Sequence, residues 1–224
     1  MNNKKKKLTI IIISAVVATL ALAVAIPFSI LGIRTASLKS NYSYLKDDTH
    51  YSNKVEIDDI ELVTQHISCG YATIEMMSNY YGNKVTEDDL SNKNNGGIST
   101  SSSDGFLKEI NNSIPTKSFI KRSYLKHDVL LKEIHNSLSN GGPVAIEWAA
   151  KYENEWTLHF SLVSGMDLSS DNVTIYNPYG YVENITADEF INRTSFNAYN
   201  KMPLFLSFGF AFGAFEKNTI FYAK

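Results

Sequence analysis

The stretch QHISCGYATIEMMSNYYG, residues 65–82, holds the only cysteine of this 224-residue chain. Apolar or small residues at Cys69, Thr73, Met76, Met77 and Tyr80 recur close to every 3.6 positions, which predicts a helix over 68–81. Gly82 is placed to stop it. A lone thiol cannot close an intramolecular disulfide, so Cys69 needs another account. At a helix start it gains from the partial positive charge of the first-turn N–H groups, which favours thiolate, the nucleophilic form. The competing account is a small buried hydrophobe, the commonest fate of a free cysteine.

A thiol nucleophile needs a base, and the base needs an orienting group. His159 lies near the start of the apolar, strand-like run Leu158–Val163. Eighteen residues on, Asn177 closes the next such run ahead of Pro178, which ends pairing. Two adjacent antiparallel strands would bring the imidazole to the asparagine carbonyl. Gln65, four residues before the cysteine, could donate its amide N–H to a developing oxyanion beside the backbone N–H of Cys69. Each residue alone has an ordinary alternative: a packed histidine, an Asn-Pro turn, a capping or solvated glutamine.

Around this constellation, 106–110 and 129–138 read as helices, and Gly141-Gly142-Pro143 ends the second. Residues 92–103, NKNNGGISTSSS, form a loop able to border a site. Short β-rich runs follow at 144–149, 159–164, 173–176 and 181–184, with 165–171 as a hairpin turn. A short helix is expected at 188–192, and the phenylalanine-rich 203–215 reads as final strands burying the core. A re-entrant membrane segment is the lesser alternative there. Helices first and strands second mark an α+β domain.

The chain begins with a basic stretch at 1–7 and then runs from Leu8 to Ile33 without a charge. As a helix those 26 positions span about 39 Å, more than a hydrocarbon core of about 30 Å. Lys4 to Lys7 would hold the N-terminus in the cytoplasm, placing the rest outside the cell membrane as a single-pass protein. The rival is a secretory signal, cleaved near Ala23 or Ala25. Residues 34–52 are polar and read as a linker, leaving 53–224 as the folded domain. Beyond Arg34 there are 16 basic against 23 acidic groups. No basic stripe could track a phosphate backbone, so nucleic acid is excluded as a partner.

No HExxH or Cys/His cluster supports a metal, and no cofactor is expected. His127 and His135 lack matching ligands. His66 is expected to face solvent, and Trp148 and Trp156 flank the approach to His159 as core or cleft wall. Asn-x-Ser/Thr triplets at Asn41, Asn111, Asn172, Asn184 and Asn192 reflect an Asn- and Lys-rich composition, which points to an AT-rich bacterial source.

Together, QHISCGYATIEMMSNYYG, HFSLVSGMD and IYNPYG resemble the C39-like branch of the papain-like cysteine peptidases over about residues 55–224. That family shows a glutamine, Cys-Gly opening a helix that often ends in Tyr-Tyr-Gly, a histidine strand followed by Gly-Tyr/Phe-Asp, and Asn-Pro or Asp-Pro before an aromatic or glycine. The resemblance implies a papain-like fold, with an N-terminal helical part and a C-terminal antiparallel sheet. It also implies a thiol hydrolase acting on a peptide or protein substrate, with Cys69 as nucleophile, His159 as general base and acid, Asn177 as orienter and Gln65 as oxyanion donor. Two positions depart from the family pattern: the glutamine stands closer to the cysteine than usual, and Tyr71 occupies a position often held by proline or alanine. Acyl transfer by the same residues, or a non-catalytic binding or adhesion module on this scaffold, are the alternatives. Oligomeric state is not legible.

Overall fold

The computed structural model describes residues 3–153, 155–197 and 203–224. It opens with helix α1 (Asn3–Ser37), which at 1.5 Å per residue is about 52 Å long. By length and composition its Lys6–Ser37 segment could cross a membrane, which fits either an anchor or a signal sequence. Its apolar side chains are exposed as far as Ile26; Pro27, Phe28, Leu31 and Thr35 are half-buried, so the last turns rest on the domain.

The segment expected to be a linker, 34–52, lies against the domain instead. Leu38 and Leu45 are buried, the second in a 3₁₀ turn at Ser43–Lys46. Ser40 Oγ bonds Asp128 at 2.5 Å and the Tyr42 hydroxyl bonds Asp188. Two widely spaced leucines supply burial that the polar composition hides.

The domain continues through β1 (Val55–Glu56), α2 (Cys69–Tyr80), α3 (Glu87–Lys93), α4 (Ser103–Ser113), β2 (Phe119–Arg122) and α5 (His127–Ser139). Then come β3 (Val144–Tyr152), β4 (Glu155–Asp167), β5 (Asn172–Asn177), β6 (Tyr181–Ile185), α6 (Ala187–Thr194), α7 (Leu204–Ala211) and β7 (Thr219–Ala223). This is the expected α+β order. Among the described residues the strands form one antiparallel sheet in the order β2-β7-β3-β4-β5-β6, and β1 pairs with the far end of β4. Strand β3 is central, which explains its unbroken buried run from Val144 to Ala150. Phe106 of α4 stacks on Phe160 of β4, ring centroids 4.4 Å apart, and this helix layer closes the core over the sheet.

Ser68 caps α2 by accepting the Tyr71 N–H at 3.2 Å, and Gly82 leaves the helix at φ +77°, as its position in the sequence predicts. Two further expectations fail. Strand β4 runs through Gly165 to Asp167, so the turn occupies only 168–171. The stretch 203–215 is not strand: α7 forms there, with Leu206 and Phe210 buried at i, i+4 spacing, and the last strand begins only at Thr219. The phenylalanine content suggested β-structure, but the four-residue spacing prevails. Helix α3, with its Thr86–Asp89 capping box, and strand β2 had not been anticipated.

Candidate active site

Cys69 is the first residue of α2, and the loop before it is tightly held. The buried Glu87 carboxylate accepts the backbone N–H groups of His66, Ile67 and Ser68 at 2.9–3.0 Å. His66 turns outward, as expected, with Nδ1 3.1 Å from Glu87 and Nε2 3.2 Å from Asp88. On the other side the 92–103 loop presses on the helix. A Cβ at Gly70 would stand 2.3 Å from Thr100 Oγ1, so only glycine fits there. The Tyr71 hydroxyl donates to Gly97 O at 2.8 Å and accepts from Ser99 N–H at 2.9 Å. The nucleophile candidate therefore stands on a rigid support.

His159 faces Asn177 across the β4–β5 pair, with Nε2 2.9 Å from Oδ1. The asparagine amide is fixed by two further bonds. Its Oδ1 accepts the Tyr179 N–H at 2.9 Å, and its Nδ2 donates to Glu183 Oε1 at 2.6 Å. With Oδ1 an acceptor, Nε2 must carry the proton, and Nδ1 keeps the lone pair a base requires. Glu183 is gripped in turn by Arg193, whose Nη1 lies 2.6 Å from Oε2. The Arg193 guanidinium also donates from Nε to Ala149 O at 2.8 Å and lies 3.5 Å above the Trp148 ring. The chain His159–Asn177–Glu183–Arg193 thus runs from the imidazole into the buried face of the sheet. Trp148, opposite His159 in the β3–β4 register, is a core residue that bonds Ser161, not a cleft wall.

Two contacts tie the thiol to this group. The Phe160 N–H, next to His159, points at Cys69 Sγ together with the N–H groups of Cys69 and Gly70. The Tyr179 ring stacks on the imidazole at 4.0 Å, and its phenol lies within electrostatic reach of the same sulfur. Among the described residues no hydrogen bond joins Sγ to His159. Gln65 is tied to the same turn by its backbone N–H, 2.7 Å from Pro178 O. Its side chain lines a cavity of about 340 Å³ bounded by Tyr152, Thr157, Pro178 and Tyr179, and its Oε1 is buried without a partner. Among the described residues, His, Cys, Asp and Glu nowhere gather in threes to hold a metal ion.

Burial governs the electrostatics. It pushes the Cys69 thiol up to about 11, against the opposing pull of the three N–H groups. The helix-start effect expected from the sequence is present and loses. Burial also drives His159 down to about 3, an effect the Asn177 bond only partly offsets. The resting pair is a neutral thiol beside a neutral imidazole. Nearby Glu147, fully buried on β3, is raised to about 8 by desolvation, with Ser103 Oγ donating to Oε2 at 2.6 Å. Its charge, where present, adds to the burial that raises the Cys69 thiol.

These shifts have a sign in stability. Between pH 6.5 and about 3 the unfolded chain binds a proton at His159 that the fold refuses, so stability falls on acidification. Between pH 4.5 and about 8 the fold holds a proton on Glu147 that the unfolded chain releases, so stability falls as pH rises. The two contributions oppose each other where they overlap, and above the ordinary histidine range only the Glu147 decline remains of the pair. Urea midpoints across pH should show the alkaline decline between 6.5 and 8 flattened in Glu147→Gln. An unchanged decline in that variant would refute the assignment.

Tyr179, Glu183, Arg193, Glu87 and Glu147 escaped the sequence reading. Tyr179 follows directly on Asn-Pro, and Glu147 is a lone charge in the apolar run VAIEWAA, so both had a local signal. The other three are recruited from distant elements and had none.

None of the curated proteins matches the chain. Among solved structures, one similar chain is a double glycine motif protease from an AMS/PCAT transporter, determined in complex with the leader peptide. It is 15% identical, with a TM-score of 0.48, over 75% of this chain and 97% of that one. The model of the Peptidase C39-like family matches residues 57–203. With that stretch matched, this cysteine peptidase-like domain belongs to the Peptidase C39-like family.

Proposed function

We propose that the chain is a membrane-anchored cysteine peptidase whose domain, 53–224, works outside the cell. The N-terminal 1–7 stays in the cytoplasm, 8–33 spans the bilayer and 34–52 joins the two. The lysines before α1 and the absence of acid in the first 34 positions support that orientation. The observation that carries the activity is the 2.9 Å contact of His159 Nε2 with an Asn177 Oδ1 whose amide is oriented by Tyr179 and Glu183. This commits Nε2–H to Asn177 and leaves Nδ1 to take a proton, in a domain where a cysteine opens the first helix of the site.

In the reaction, Cys69 Sγ passes its proton to His159 Nδ1 as sulfur attacks the carbonyl carbon of a peptide bond. Asn177 Oδ1 stabilises the imidazolium through Nε2–H. The Cys69 N–H and the Gln65 amide, after a flip that turns its N–H inward, donate to the oxyanion. The imidazolium returns the proton to the leaving amine, and water, deprotonated by the same nitrogen, releases the acid and restores the thiol. Because the resting pair is neutral, this proton transfer accompanies attack rather than preceding it.

The test is a mixture of peptides of varied sequence incubated with the full chain in detergent, with Cys69→Ala as blank. Defined fragments should appear in the first sample alone. Fragments in both, or in neither, would refute the assignment; neither outcome combined with tight peptide binding would favour a binding module.

A further inference from the structure

Helix α7 has two apolar faces, and only one is used by the domain. Leu206 and Phe210 are buried, and Phe210 packs with Phe196 and Phe215 beneath the helix. On the opposite side Leu204, Phe205, Phe208 and Phe212 fall within about 100° of one another on the 3.6-residue wheel. Leu204 is 72% exposed, Phe205 71% and Phe212 59%. From Pro203 to Phe215 there is no charged residue. So large an outward apolar face is not left to water without reason.

Its neighbour indicates what covers it. Phe208, on the outward face, meets Phe28 of α1 edge-on with ring centroids 5.3 Å apart. Phe28 lies inside the charge-free run, five residues before Ile33, so about 7.5 Å below its outer end. An interfacial helix buries its apolar face about 5–10 Å into the headgroup and acyl boundary. With Ile33 at the outer boundary of a bilayer the outward face of α7 stands at that depth, and with Leu8 at the inner boundary Phe28 lies about 30 Å along and the face stands at the outer boundary itself. The apolar run, about 39 Å long, also exceeds a core of about 30 Å, so its last turns have length to spare beside α7.

We propose that α7 is a second membrane contact, an in-plane helix seated in the outer leaflet with Leu204, Phe205 and Phe212 among the lipid chains. This rests on the reading of α1 as an anchor. It fixes the domain's orientation against the bilayer instead of leaving it tethered at one point.

The test places an environment-sensitive fluorophore on single cysteines introduced into the full chain carrying Cys69→Ser: F205C, F212C, V17C in mid-α1, and I98C on the exposed α3–α4 loop. The chains are reconstituted in vesicles of phosphatidylethanolamine and phosphatidylglycerol containing lipids with a nitroxide at a shallow or a deep acyl carbon. Shallow nitroxide should quench positions 205 and 212 by about twofold or more relative to position 98, and deep nitroxide should quench position 17 most. Quenching at 17 with 205 and 212 no different from 98 overturns the inference and leaves the anchor standing. No quenching at 17 overturns the anchor reading itself.

Discussion

Cys69→Ala and His159→Ala each lower kcat/KM by about 10⁴-fold or more, and the double variant is no worse than either alone. The non-additivity follows from the neutral resting state. With the thiol raised to about 11 and the imidazole lowered to about 3, neither group acts without the other. Removing the acceptor leaves a protonated sulfur, and removing the sulfur leaves a base with nothing to deprotonate. Steady-state kinetics on any peptide found to be cleaved read the result directly. Losses that multiply in the double variant would mean that the two residues work independently, which the proposed mechanism forbids. The fold should survive both changes, since the Glu87 bonds to the loop and the Asn177 bonds to Tyr179 and Glu183 do not involve either side chain.

Arg193→Ala costs about 3–5 kcal/mol of stability, a large fraction of what a domain this size possesses. Arg193 is 3% exposed, so its removal leaves the Glu183 carboxylate without its cation. It also removes the Nε donor to the Ala149 carbonyl and strips the cover from the Trp148 ring. Lysine should not rescue the variant, because its point charge cannot bond carbonyl and carboxylate while lying flat on an indole. Adding Glu183→Gln should recover part of the loss by removing the stranded charge. Activity should fall with stability, although none of these atoms meets substrate, since Glu183 holds the Asn177 amide in the orientation that sets the His159 tautomer. Urea unfolding of the single and double variants measures this. A cost below about 1 kcal/mol would show the pair to be no stronger than a surface contact.

Much of this was legible in the sequence because it is local. The period of Cys69 to Tyr80, the stop at Gly82, the β-forming composition of the short runs after 143 and the Asn-Pro after β5 each depend on a few adjacent residues, and the α+β order follows from them. Three kinds of feature were hidden. The stretch 203–215 is rich in both β-forming aromatics and four-residue spacing, and only its packing against α1 and Phe196 decides for helix. Residues 34–52 look unstructured because two leucines carry their burial. Glu87 and Arg193 reach the site from elements far away in the chain, through bonds no spacing announces. The charge state of the site was misjudged for a related reason. The helix-start effect can be read from position in the sequence, but desolvation depends on everything packed around the sulfur.

The most direct measurement is the rate at which a peptidyl vinyl sulfone modifies the full chain at pH 7, followed by intact mass. The nucleophile–base pair predicts one adduct, on Cys69, formed about 10²–10³-fold faster than in His159→Ala. Equal rates in the two proteins would contradict it.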